Sequence, residues 1–204
     1  MKNMMWCVMI IVASHAAAQE ETLFSGSVEH GGFGAPVLKV STVKKHFAVF
    51  AGAYGGWLIN HSLLIGAGGY GLVSHIGLPP EALIFRPFDT FIRLQFGYGG
   101  IVLEYIGHPM DLIHYSVAML VGGGAVVYSE HGWLSEGWNT STVYPTSTVF
   151  VFEPGVNVEL NVTSFLRVAA GGSYRFVNGV ELAGLSNADL GGPSLNLALK
   201  FGSF

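Results

Sequence analysis

The chain has 204 residues, of which 50% are hydrophobic and only 11% charged, with a net charge of −4. An ordinary soluble domain carries about 25% charged residues, and a weakly acidic chain this poor in Lys and Arg lacks the basic footprint of a nucleic-acid-binding protein. Glycine contributes 29 residues and aromatics 13%, while beyond the first eighteen residues no apolar run reaches the ~20 residues of a membrane-spanning helix without glycine or polar breaks.

Residues 1–18 read as a secretory signal. Lys2 supplies the positive start, Met4 to Val12 the short apolar stretch, and Ala16, Ala17 and Ala18 the small residues before a cut at Gln19. Cys7 lies inside this segment, so the mature chain is expected to have no disulfide. Residues 19–33 are polar and acidic and read as a flexible lead-in to a folded domain over 34–204.

Within that domain apolar and polar residues alternate in short runs. A first strand over 34–43 puts Leu38 and Val40 on one face and Lys39 and Ser41 on the other, because successive strand side chains point to opposite faces. Lys44 and Lys45 form a tight turn. A second strand over 46–59 and a third over 62–75 are joined at Asn60 and His61, a two-residue hairpin turn. Around Tyr70 the run Gly66 to Gly71 leaves space for neighbouring side chains in a narrow barrel. It lacks the Lys-Ser or Lys-Thr and the following helix of a phosphate loop.

Pro79, Pro80 and Pro87 mark a loop. A fourth strand over 89–105 places Ile92, Leu94, Phe96 and Tyr98 on its apolar face and Arg93 and Gln95 on its polar face. Past Gly99 and Gly100 the apolar residues become Ile101, Leu103 and Tyr105, with Glu104 opposite, and such a phase change predicts a β-bulge. The fifth strand, 112–128, turns Ile113, Tyr115, Val117, Met119 and Val121 to one side. A long loop over 129–146 follows, with Trp133, Trp138 and Tyr144 expected as interfacial anchors.

The clearest pattern is 147–176. Phe150, Phe152, Val156, Val158, Leu160 and Val162 alternate with Glu153, Asn157, Glu159 and Asn161; then Leu166, Val168, Ala170, Tyr174 and Phe176 alternate with Arg167, Ser173 and Arg175. After a loop over 179–192, a last strand over 194–204 sets Leu195, Leu197, Leu199 and Phe201 against Asn196 and Lys200.

Eight strands, mostly short turns at one end, long loops at the other and both chain ends together predict an all-β fold. It is an eight-stranded antiparallel up-and-down transmembrane β-barrel with a filled polar interior. Closure removes the sheet edges that hydrocarbon cannot tolerate. A soluble sandwich whose apolar faces meet each other is the rival arrangement. Lys39, Arg93, Gln95, Glu104, Glu153, Asn157, Glu159, Arg167, Arg175, Asn196 and Lys200 are expected to point inward and pair, Glu159 with Arg167 or a neighbour. An unpaired buried charge costs several kcal/mol, so the interior should be plugged. A narrow channel lined by these charges is an alternative.

Three stretches, Gly31 to Lys39 (GGFGAPVLK), Gly66 to Leu72 (GAGGYGL) and Leu197 to Phe204 (LALKFGSF), resemble a group of small bacterial outer-membrane β-barrel proteins. The resemblance implies location and architecture, with outer-membrane lipid and lipopolysaccharide as surroundings, and it is silent on activity. Phe204 is similar to the C-terminal aromatic by which such barrels are recognised by their assembly machinery, although it is out of phase with Leu195 to Phe201. A bulge at Gly202 would restore the phase.

The stretch His114, Tyr115, Ser116, with Glu130 farther on, resembles the His-Tyr-Ser stretch of outer-membrane lipid A deacylases, barrels that use a Ser-His-Glu triad. In that family an asparagine follows the serine, and here Val117 stands in its place. The reading preferred is a non-enzymatic barrel acting through its loops on lipopolysaccharide or external partners, with the lipid A hydrolase as alternative. His30, His46, His61, His75, His108 and His131 lack the i, i+2 or His-x-x-x-His spacing of convergent metal ligands, so no metal or other cofactor is expected.

Overall fold

The computed structural model describes residues 28–77, 93–129 and 146–204. The predicted signal, most of the lead-in, Glu130, His131, the prolines of the first long loop and the aromatics of the second lie outside these residues.

The strands are β1 His30–Val43, β2 His46–Ile59, β3 Leu63–Leu72, β4 Ile76–Gly77, β5 Arg93–Gly107, β6 Ile113–Ser129, β7 Thr146–Asn161, β8 Leu166–Asn178 and β9 Gly192–Ser203. All neighbours pair antiparallel. β1 bonds to both β2 and β9, and β3 bonds to both β2 and β5, so the eight long strands close into a barrel with the short β4 lying along β5.

Following paired residues once around the wall gives its geometry. Gly31 leads through Leu58, Leu64, Glu104, Ala118, Gly155, Ser173 and Ser194 back to β1 at Ser41, ten residues beyond the start. That stagger tilts the strands into the roughly 35–45° range of closed barrels, and eight strands leave an interior that side chains can fill.

At one end lie the start of β1, the end of β9 and the short turns β2–β3, β5–β6 and β7–β8. At the other lie the three long connections and the two-residue turn at Lys44 and Lys45, both left-handed with φ of 51° and 64°. These are called here the short-turn end and the loop end.

The wall is apolar outside. Leu38, Val117, Val158, Leu197 and Leu199 are exposed, and all belong to the outward phase of their strands. Exposed aromatics edge this band, with Phe47 and Phe176 toward the loop end and Trp57, Tyr105 and Tyr115 toward the short-turn end. On β2, Phe47 and Trp57 are ten residues apart. At about 3.3 Å per residue and a tilt near 40°, this separation spans roughly 25 Å, the height of the apolar band of an outer-membrane barrel. No helix among the described residues is long and apolar enough to cross a membrane.

Three sequence expectations are corrected. β1 starts at His30, earlier than residue 34, because Phe33 is drawn inside against Tyr54 and Phe204. The third strand ends at Leu72, and the chain returns to β5 only through Ile76 and Gly77. β5 carries no bulge: its pairing with β3 and with β6 runs unbroken through Gly99 and Gly100. Leu94, Phe96 and Tyr98 therefore face inward together with Val102, Glu104 and Ile106, all buried. Arg93 and Gln95 take the opposite phase of the strand, where β4 lies along β5; Arg93 is half-buried and Gln95 is buried. The apparent phase change has a simple physical source. Gly99 and Gly100 carry no side chain, and the interior of the loop-end half is aromatic.

Candidate functional site

The inward phases of the eight strands converge in three tiers along the barrel axis. Nearest the short-turn end, Lys200 reaches from β9 to the carboxylates of Glu104 on β5, at 2.9 Å, and Glu159 on β7, at 2.5 Å. All three side chains are fully enclosed. The Tyr54 hydroxyl donates to Glu104 Oε2 at 3.2 Å. His114 faces Glu159 Oε2 through Nε2 at 3.4 Å and donates from Nδ1 to the Asp111 carbonyl at 3.1 Å. Below them Arg167 lies over the Phe204 ring, 4.0 Å from its centroid, and donates to the Pro109 carbonyl.

In the middle tier Lys39 pairs with Glu153 at 2.8 Å and sits 3.4 Å from the centroid of the Tyr70 ring. Glu153 also accepts from the hydroxyls of Tyr98 and Ser173, both at 2.6 Å. A cavity of about 60 Å³ opens here, lined by Lys39, Tyr54, Tyr70, Glu153, Asn157, Ser173 and Asn196 among others. A space of that size and polarity is suited to a few water molecules, each needing at least ~10–15 Å³.

The upper tier is built around Arg175. It is fully buried, with its guanidinium carbon 4.3 Å from the Phe50 ring centroid and 5.7 Å from that of Phe96. Nε donates to the Leu190 carbonyl at 2.8 Å and Nη2 to Ser41 Oγ at 3.3 Å. Aromatic faces, one carbonyl and one hydroxyl thus hold a cation that has no carboxylate within ion-pair distance among the described residues.

The connection between β8 and β9 folds over this tier as a cap. Leu182, Leu185 and Leu190 are buried beneath it, and Tyr128 donates to the Ala183 carbonyl at 3.1 Å. Asn187–Leu190 form one helical turn. The Ser186 hydroxyl and backbone N–H both donate to the Asp189 carboxylate, the hydroxyl bond being the main cause that holds this exposed carboxyl below its ordinary range. The Asp189 carbonyl in turn accepts from the Lys44 backbone N–H at 2.8 Å, which fastens the cap to the β1–β2 turn.

Of the predicted interior set, the structure brings Lys39, Glu104, Glu153, Glu159, Arg167, Arg175 and Lys200 inside and buried. Asn157 and Asn196 line the cavity half-buried. Glu159 pairs with Lys200 and His114 rather than with Arg167. Interior aromatics Phe50, Tyr54, Tyr70, Phe96 and Tyr98 were not foreseen. Their shared even-numbered phase with Glu104 and Leu64 was the available signal, blurred by the surrounding glycines.

Two other predicted features change meaning. Pairing of β9 with β1 continues in one register from Ser194 to Ser203, so Gly202 makes no bulge. Phe204 accordingly turns toward the interior phase and packs on Phe33, centroids 5.5 Å apart, outside the lipid-facing stripe. His114 and Ser116 do share the inward face of β6, near its short-turn end. Ser116 is fully buried and accepts from Asn157 Nδ2 at 3.3 Å, while His114 is directed to Glu159. The described contacts give no histidine bond to the serine, and no cluster of three potential metal ligands occurs among the described residues.

No family model and no curated protein matches the sequence. Solved structures do match the fold. Neisserial surface protein A superposes with a TM-score of 0.59 at 9% identity, over 86% of this chain and 99% of that one. The N-terminal β-barrel domain of Pseudomonas aeruginosa OprF gives 0.51 at 9% identity, over 86% and 99%. The chain has the closed eight-stranded antiparallel barrel fold of small bacterial outer-membrane proteins.

Proposed function

We propose that this chain is an exported outer-membrane barrel that is non-enzymatic and non-conducting, and that it works through its outer surface on lipopolysaccharide or external partners. The observation that carries this reading is the closed interior. Phe50, Phe96, Arg175 and Leu190 are fully buried across the loop-end half, and the capping connection lies over them. In the lower tier Lys200, Glu104 and Glu159 are fully enclosed and paired with one another. The apolar wall between two aromatic edges supports a place in lipid, with the loop end outward as in outer-membrane barrels. Export through a cleaved segment 1–18 and recognition of Phe204 by the assembly machinery belong to the same proposal.

Planar-bilayer recording tests the closed interior. The purified, refolded protein is expected to give no stepwise conductance at 100 mV in 1 M KCl. Reproducible single-channel steps that disappear with heat-denatured protein would replace this reading with the channel.

A further inference from the structure

We infer that the tip of the β1–β2 hairpin, Lys44 and Lys45 above Phe47, is a docking point for the phosphorylated head group of an outer-leaflet glycolipid of the lipid A class. The inference rests on the membrane placement proposed above and names the partner of its outer surface. Its first ground is height. The other three connections at the loop end are long, whereas this one is two residues, so Lys44 and Lys45 stay at the rim of the wall. Phe47 is 68% exposed and points outward at the upper edge of the apolar band. The half-buried Lys44 and exposed Lys45 thus sit at the rim, three and two positions before a ring that an acyl chain can cover, at the height of lipid phosphates.

The second ground is the backbone. Lys44 and Lys45 are both left-handed. A two-residue hairpin turn of this type favours Asn-Gly, which adopts positive φ with the least strain. Two lysines here run against the local preference, and strain held in place by the surrounding structure is a marker of function. The third ground is electrostatic. Among the described residues no carboxylate pairs with either ammonium group. Asp189, the acidic group beside them, is occupied by two hydrogen bonds from Ser186, and His46 adds a further exposed polar ring at the tip. Asp189 therefore acts on the two lysines only through space, and two cations with no carboxylate at ion-pair distance attract phosphate at an anionic lipid surface.

The test uses the full barrel in phosphatidylcholine nanodiscs and the double variant Lys44→Asn with Lys45→Gly, which removes both charges while relaxing the turn. Binding of bisphosphorylated lipid A is measured beside dephosphorylated lipid A, phosphatidylglycerol and inorganic phosphate. The variant should unfold at a temperature no lower than the parent, bind bisphosphorylated lipid A at least tenfold more weakly, and match the parent on the dephosphorylated form. Equal lipid A binding by parent and variant would overturn the inference. So would phosphatidylglycerol or free phosphate binding the parent as tightly as lipid A does, since the tip would then read charge alone. Neither outcome touches the closed interior, which bilayer recording tests separately.

Discussion

Lys200→Met is expected to cost about 3 to 5 kcal/mol of stability, the typical loss when one partner of a buried ion pair is removed. Lys200 is fully enclosed, and it is the bridge between Glu104 at 2.9 Å and Glu159 at 2.5 Å. Without it two carboxylates remain inside the barrel facing each other. His114, at 3.4 Å from Glu159, is the nearest compensating group. The measurement is the urea midpoint of the barrel folded in lipid vesicles, followed by tryptophan fluorescence and by the gel-mobility shift. A control separates charge from packing: Lys200→Met combined with Glu104→Gln and Glu159→Gln should recover much of the loss, because replacing a whole buried ionic set by neutral groups is often nearly neutral. A single variant within 1 kcal/mol of the parent would show that the lower tier does not hold the barrel together.

The second large effect concerns the glycine belt, and Gly122→Val should block assembly of the barrel. Gly122 on β6 faces Gly100 on β5, and Gly99 and Gly123 pair alongside. A Cβ added at Gly122 would fall 2.5 Å from the Gly100 Cα and closer still to the Gly99 carbonyl. Both obstacles are backbone, so relief requires parting two strands rather than turning a side chain. Gly71→Ala is the matched control, because a Cβ there meets nothing within 4 Å. The yield of heat-modifiable protein after refolding should collapse for the valine variant and stay at the parental level for the alanine one. Equal yields would mean that the close approach of β5 and β6 is not required.

The same belt explains what could be read from the sequence and what could not. The β7–β8 hairpin was legible, since apolar side chains recur at most even positions from Phe150 to Phe176, interrupted only at Pro154, Ser164 and Gly172, and the observed register keeps that phase. The closed eight-stranded architecture followed from that alternation and from the distribution of turns. β5 was misread because alternation needs side chains. Gly97, Gly99 and Gly100 supply none, and Phe96 and Tyr98 look like lipid-facing residues when they pack inside on Phe50 and Tyr70. Arg93 and Gln95 were assigned inward on that account. The partner of Glu159 was not legible either, since it depends on the stagger that brings Lys200 of β9 across the lumen to β5 and β7. The cap left no trace in the pattern. Leu182, Leu185 and Leu190 follow no strand period, and their burial comes from folding back over Arg175.

All of these readings depend on a barrel whose outer wall meets lipid and whose polar side chains face its axis. Electrophoretic mobility in SDS, before and after boiling, of protein taken from the membrane fraction tests this most directly. The account predicts a fast-migrating, protease-resistant band that shifts to the full-length position on heating. A single band unchanged by heat, from protein that dissolves as a monomer in detergent-free buffer, would contradict it.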